Sequence, residues 1–223
     1  MWFEFSFVVT ARNLKIILIF AAMSVGIYSI FFIRWGSNRK YALIGGHRAA
    51  AQVISYEVCM FIVVLSSLYL WKTYRNRIIS LSQQGFWLAL TFLPLFFLWT
   101  ILCMAESNRT PFDLAEGESE IVSGFNIEYG IGIFALIFIR EYGMILILSF
   151  LTGIFFMGGK IIIIKVIAVS FLFIWVRCSF PRVRYNNLIF IAWKIALPYR
   201  ISLLVMILLI YKYLVYQILN PTL

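Results

Sequence analysis

Six of the chain's nine acidic residues lie between Ala105 and Tyr129, in the run AESNRTPFDLAEGESEIVSGFNIEY: Glu106, Asp113, Glu116, Glu118, Glu120 and Glu128. A seventh, Glu141, follows shortly after. Carboxylates this close repel one another, and partial burial favours their neutral form. Some are therefore expected to titrate toward neutrality, as a group that accepts and releases protons must. Asn108 to Pro111 carries turn chemistry, and Pro111 forbids one helix through the whole run. A helix from Phe112 onward would put Asp113, Glu116 and Glu120 on one face, at i, i+3 and i+7, with Glu118 pointing elsewhere. Arg109, the lone cation here, offsets part of that charge or binds a polar head group. Interleaved Phe112, Leu114, Ile121, Val122 and Phe125 argue against a merely solvated acidic loop. Calcium binding is the competing use of clustered acids, but no EF-hand spacing is present.

Two more charged positions stand in apolar surroundings. Glu57, in QVISYEVCMF, would cost about 3 kcal/mol in the middle of a membrane helix, so it faces a cavity, a proton path or a partner such as Arg48. Arg140 and Glu141 are adjacent, and helical neighbours point about 100° apart. They cannot simply neutralise each other, so at least one has a further partner. His47 has no second ligand type at i+3 or i+4 and is not read as a metal ligand. Cys59, Cys103 and Cys178 show neither disulfide nor cluster spacing and read as small apolar residues. No metal site is expected.

These groups must be positioned inside a bilayer. Hydrophobic residues make up 63% of the chain and charged ones 13%, with a mean hydropathy of +0.96. That is more apolar surface than a soluble domain of this length buries. A spanning helix needs roughly 20 largely apolar residues, and six stretches qualify: Leu14 to Ile33, Gln52 to Trp71, Phe86 to Met104, Glu128 to Phe150, Ile161 to Val176 and Ile195 to Leu219. The expected fold is an all-α polytopic membrane domain over residues 1–223, with the acidic segment between the third and fourth spans.

Pro94 is expected to kink the third span. Lys165 and Lys212 are expected to snorkel. Pro181 should interrupt helix within a basic loop holding Arg177, Arg182, Arg184 and Lys194. The net charge of +10 collects at helix ends, which points to lipid headgroups and topology rather than nucleic acid. The N-terminal MWFEFSFVVTARNLK lacks signal-peptide features and reads as an interfacial lead-in. Arg34, Arg39, Lys40, Arg48, Arg109, Arg177, Arg182, Arg184 and Lys194 would share one side of the membrane; Arg12, Lys15, Lys72, Arg75, Arg77 and Lys160 would share the other. The positive-inside tendency then puts the acidic segment on the cytoplasmic or matrix side.

The acidic run, with NRKYALIGG, RAAAQVISYEV, PRVRY and the later WK, resembles membrane subunit 1 of respiratory complex I, the NADH:quinone oxidoreductase. The likeness covers nearly the whole chain. It implies a quinone chamber shaped by Arg48 and Arg109, with Phe112 and Phe125 as walls. It also implies a proton path through Glu57, Glu106, Asp113, Glu116, Glu118, Glu120, Glu128 and Glu141. Ubiquinone would be the substrate, while flavin (FMN) and iron–sulfur clusters would sit in partner subunits, including the peripheral-arm subunits at the quinone site. The family has eight helices, and its first two, with a Glu-Arg-Lys element and a Gly-Pro-Asn loop, have no counterpart here. A separate polypeptide supplying them, as in split organellar genes, or a truncated subunit is therefore expected. The Phe- and Ile-rich composition fits an AT-biased organellar genome, and the expected location is the mitochondrial inner membrane, with a bacterial plasma membrane as the alternative.

Two readings of other classes compete. A cation-coupled secondary transporter would use intramembrane acids to bind its ion, but it would need an inverted repeat, and the acidic segment has no echo in the other half. A purely structural assembly subunit would tolerate neutralisation of its acids one at a time.

Overall fold

The computed structural model describes residues 15–36, 40–83, 85, 87–108, 110–113 and 130–219. Among these the chain is all helix and turn, with no strand. In chain order the helices are α1 (Lys15–Gly36), α2 (Lys40–Trp71), α3 (Asn76–Ser82), α4 (Leu88–Thr91), α5 (Leu93–Glu106), α6 (Ile131–Thr152), α7 (Ile162–Ser179), α8 (Tyr185–Phe190) and α9 (Leu197–Leu219). Helix α6 runs on into a π-helical turn, Gly153–Met157, and a second such turn, Ile191–Ala196, joins α8 to α9.

Five stretches are long and apolar enough to cross a membrane: Ile16–Ile33, Leu43–Trp71, Ala135–Met157, Ile162–Ser179 and Tyr185–Ile210. The sixth expected span, Phe86 to Met104, is not one helix. The chain breaks at Phe92 (φ −124°, ψ 60°), between four-residue α4 and fourteen-residue α5. Pro94 kinks nothing, because it lies in the first turn of α5, where its missing N–H has no intrahelical acceptor to lose. At 1.5 Å per residue α5 is about 21 Å long, short of a full crossing.

Other boundaries also move. Helix α2 starts at Lys40, well before Gln52, because Gly45 and Gly46 are tolerated inside it. The final span starts near Tyr185 rather than Ile195, since the π turn keeps the helix unbroken. Helix does stop around Pro181, over residues 180–184. Within the basic segment, however, Arg177 lies on α7 and Lys194 in the π turn.

Helix α2 is the hub, touching α1, α5, α8 and α9. Lipid is as apolar as leucine, so helices in a bilayer are held by close packing and by polar side chains reaching across interfaces. Both devices are present. Trp99 of α5, with none of its surface exposed, meets Phe155 edge-on at 5.9 Å and Phe156 at 5.8 Å, contacts worth roughly 0.5–1.5 kcal/mol each beyond their buried area.

The first π turn supplies an acceptor site. Gln83 donates its side-chain amide to the carbonyls of Phe155 (2.7 Å) and Ile154 (3.3 Å). Beside it Gly159 lies so close to Ser80 that a Cβ would come within 2.6 Å of the serine Cβ. Lys165 reaches back past the start of α7: its ammonium donates to the carbonyls of Met157 (2.5 Å) and Gly158 (3.2 Å) and lies 4.9 Å from the Trp87 ring centre.

Candidate functional site

Residues 48, 52, 55, 56 and 59 fall on one stripe of α2, because steps of three and four return to the same helix face. Arg48 places its guanidinium 5.6 Å from the Tyr185 ring centre. Gln52, wholly buried, donates to the carbonyls of Ala105 (2.8 Å) and Phe112 (2.9 Å). Trp193 donates to the Ser55 hydroxyl (3.0 Å), and the Tyr56 hydroxyl donates to the Leu188 carbonyl (3.1 Å). The Tyr56 and Phe112 ring centres are 6.3 Å apart.

The start of the acidic segment is thus anchored from two sides. Besides Gln52, the Val183 amide donates to the Pro111 carbonyl (2.9 Å), and Thr110 donates to the Arg177 carbonyl (3.3 Å). Phe112 and Asp113, both half-buried, are not helical, and the residues that a helix beyond them would occupy lie outside the described ones.

The opposite side of α2 is charged. Glu57 is nine residues from Arg48, about 180° around the helix, so the two do not pair. Glu57 instead lines a groove of about 430 Å³ between α1 and α2, beside Phe20, Ala21, Ser24, Ile54 and Phe61. Glu106, the last residue of α5, is 5% exposed, and Glu141 of α6 is 7% exposed. Glu106 lies within electrostatic reach of both Glu57 and Arg140, and Arg140 within reach of both Glu106 and Glu141. Four charged residues from α2, α5 and α6 thereby form one chain of neighbours inside an apolar body. The further partners demanded by the Arg140–Glu141 adjacency are Glu106 and the Gly26 carbonyl of α1, to which Arg140 donates at 3.1 Å.

The structure therefore brings together Glu57, Glu106 and Glu141 from the expected proton path. It places Asp113, Arg48 and Phe112 apart from them, around the anchored turn. Glu116, Glu118, Glu120, Glu128, Arg109 and Phe125 lie outside the described residues.

Sequence reasoning passed over Arg200. It is 2% exposed on α9, beside Cys59 and Tyr56 of α2, and its Nε and Nη1 have no hydrogen-bond partner among the described residues. Its signal was an arginine a few residues inside an apolar run, the same signal that singled out Glu57. Gln52 was missed as well, although a wide-reaching amide in an apolar helix is a common form of interhelical tie.

The architecture and its internal charges define a polytopic helical membrane protein with ionisable groups arranged across its interior. A family model described as NADH dehydrogenase matches residues 2–209, and the chain belongs to that family. Among its relatives is the NADH-ubiquinone oxidoreductase chain 1 of Aedes aegypti, 45% identical over 196 residues, or 86% of this chain and 63% of the relative. Proteins of the same name from Trichosurus vulpecula and Paracentrotus lividus are 43% identical over 197 residues and 41% over 204 residues. They are matched over 62% and 63% of their length, and over 83% and 86% of this chain. The chain thus spans a little under two thirds of these relatives.

Proposed function

We propose that this chain is a membrane subunit of a NADH:ubiquinone oxidoreductase, contributing part of a quinone chamber and a line of carboxylates that couples quinone reduction to proton movement. The observation that carries the coupling role is the row Glu57, Glu106, Arg140 and Glu141, spread over three apolar helices with Glu106 and Glu141 buried. Such groups are costly in a bilayer and serve proton or ion paths far more often than packing. One side chain in particular is built for exchange: Oε2 of buried Glu106 has no hydrogen-bond partner among the described residues.

In this reading the turn at Thr110 to Asp113, tied by Gln52 and Val183, forms a corner of the chamber with Arg48, Phe112 and Tyr185. By family likeness Arg109 and Phe125 share the chamber role, and Asp113, Glu116, Glu118, Glu120 and Glu128 share the proton-path role. Quinone reduction places negative charge in the chamber; the nearest carboxylates take up protons in response, and the change passes inward from acid to acid. Electrons come from flavin and iron–sulfur centres in partner subunits. The site of action is the inner mitochondrial membrane, which this protein crosses several times.

The test is Glu106→Gln in the assembled complex. Quinone-linked NADH oxidation and its proton movement should fall at least about tenfold, in line with loss of a proton-transfer group. Normal turnover in an intact complex would remove Glu106 from the path and leave an assembly role.

A further inference from the structure

Arg140 is the one described cation placed among these acids, and its surroundings are built around it. Glu106 of α5 and Glu141 of its own helix lie within its electrostatic reach, and Glu57 of α2 lies within that of Glu106. From α1 it meets no charge, only the Gly26 carbonyl, which also accepts from the Ser29 hydroxyl at 2.6 Å. Position 26 suits the guanidinium, since a Cβ there would come within 3.2 Å of Arg140 Nη2. The tie crosses an otherwise open seam: α1 and α6 are separated by an apolar groove of about 600 Å³ lined by Leu18, Ala22, Met23, Met144, Ile147 and Phe150.

We infer that Arg140 is a positioning residue for the proton path, acting in two ways at once. Its charge balances the carboxylates on either side of it, and its hydrogen bond latches α1 across the seam onto α6. The two acts are coupled. Proton uptake by Glu106 or Glu141 weakens the attraction that holds the guanidinium inward, while the carbonyl of Gly26 remains available to it. Arg140 therefore senses the protonation of the acid row and passes it to α1 as a change in how firmly the seam is held. This inference rests on the proton-path reading above.

The experiment compares Arg140→Gln and Arg140→Lys in membranes containing the assembled complex, reading the pH dependence of quinone-linked turnover and protons moved per electron. Glutamine removes the charge and is too short to reach the Gly26 carbonyl; lysine keeps the charge and a donor of nearly the same reach. Losing a cation beside a carboxylate makes that carboxylate easier to protonate. The profile in Arg140→Gln should move about 0.5–1 pH unit alkaline, while Arg140→Lys stays within about 0.2 unit of the parent. An unmoved profile in assembled Arg140→Gln, or an equal shift in both variants, would overturn the inference.

If Arg140→Gln does not assemble, Gly26→Leu decides, because a Cβ there already comes within 3.2 Å of Nη2 and the rest of a leucine side chain displaces the guanidinium while leaving every charge in place. A smaller shift of the same sign is expected, and no shift counts against the proposal. Failure here is distinct from failure of the path: if Glu106→Gln abolishes turnover while these profiles stay put, only the role of Arg140 falls.

Discussion

The two sides of α2 are built on different principles. Toward the 110–113 turn, α8 and the second π turn, Gln52, Ser55 and Tyr56 make hydrogen bonds between neutral partners, with the cations Arg48 and Arg200 lying beside them. On the other side Glu57 opens onto the groove against α1, and Glu106, which keeps an unbonded oxygen, lies within electrostatic reach of Glu57 and Arg140. Neutral bonds to backbone hold one geometry whatever the pH. Charge contacts change strength with each proton gained or lost. The first face is suited to fixing a chamber, the second to changing state.

That contrast can be broken most directly at Glu106, where the glutamine variant should lose at least about tenfold in turnover while the complex still forms. If stability collapsed while turnover per assembled complex held, the charged face would be the structural one. Next in size is Gln52→Leu, which strips the donor from two carbonyls. Unsatisfied buried polar groups cost about 1–3 kcal/mol each, so the complex should denature at lower temperature, with turnover per surviving complex falling less than twofold. Tyr56→Phe should cost about 1 kcal/mol for one lost hydrogen bond and leave turnover unchanged. A drop in turnover without a change in melting would move Tyr56 onto the working side. The smallest effect is expected for Ser55→Ala, about 0.5–1 kcal/mol for the lost acceptor of Trp193, read as a slight fall in melting temperature.

Much of this division was visible in the residues. Apolar runs bounded by basic residues gave the helices, and Glu57, Arg140 and Glu141 stood out because charge inside such a run demands a partner. Which partner was not visible. Periodicity assigns a residue to a face of its own helix but says nothing about the helix opposite, so Glu57 was offered Arg48, which turns out to point the other way. The break at Phe92 was hidden because Leu90, Thr91, Phe92 and Leu93 carry no turn chemistry, and attention fell on Pro94 instead. Arg200 escaped because a basic residue close to a span's start passes for an interfacial anchor. Gln52 escaped because an amide carries no charge to flag its burial.

The clamp that Gln83 places on the first π turn also makes α6 a mechanical element. Its far end is pinned through the carbonyls of Ile154 and Phe155, it packs against α7, and Arg140 ties it to α1 at Gly26. At 1.5 Å per residue the arginine sits about 20 Å from Gly153. Helix α6 is therefore a braced strut, and a load placed at the arginine is shared between the Gly26 tie and the Gln83 clamp.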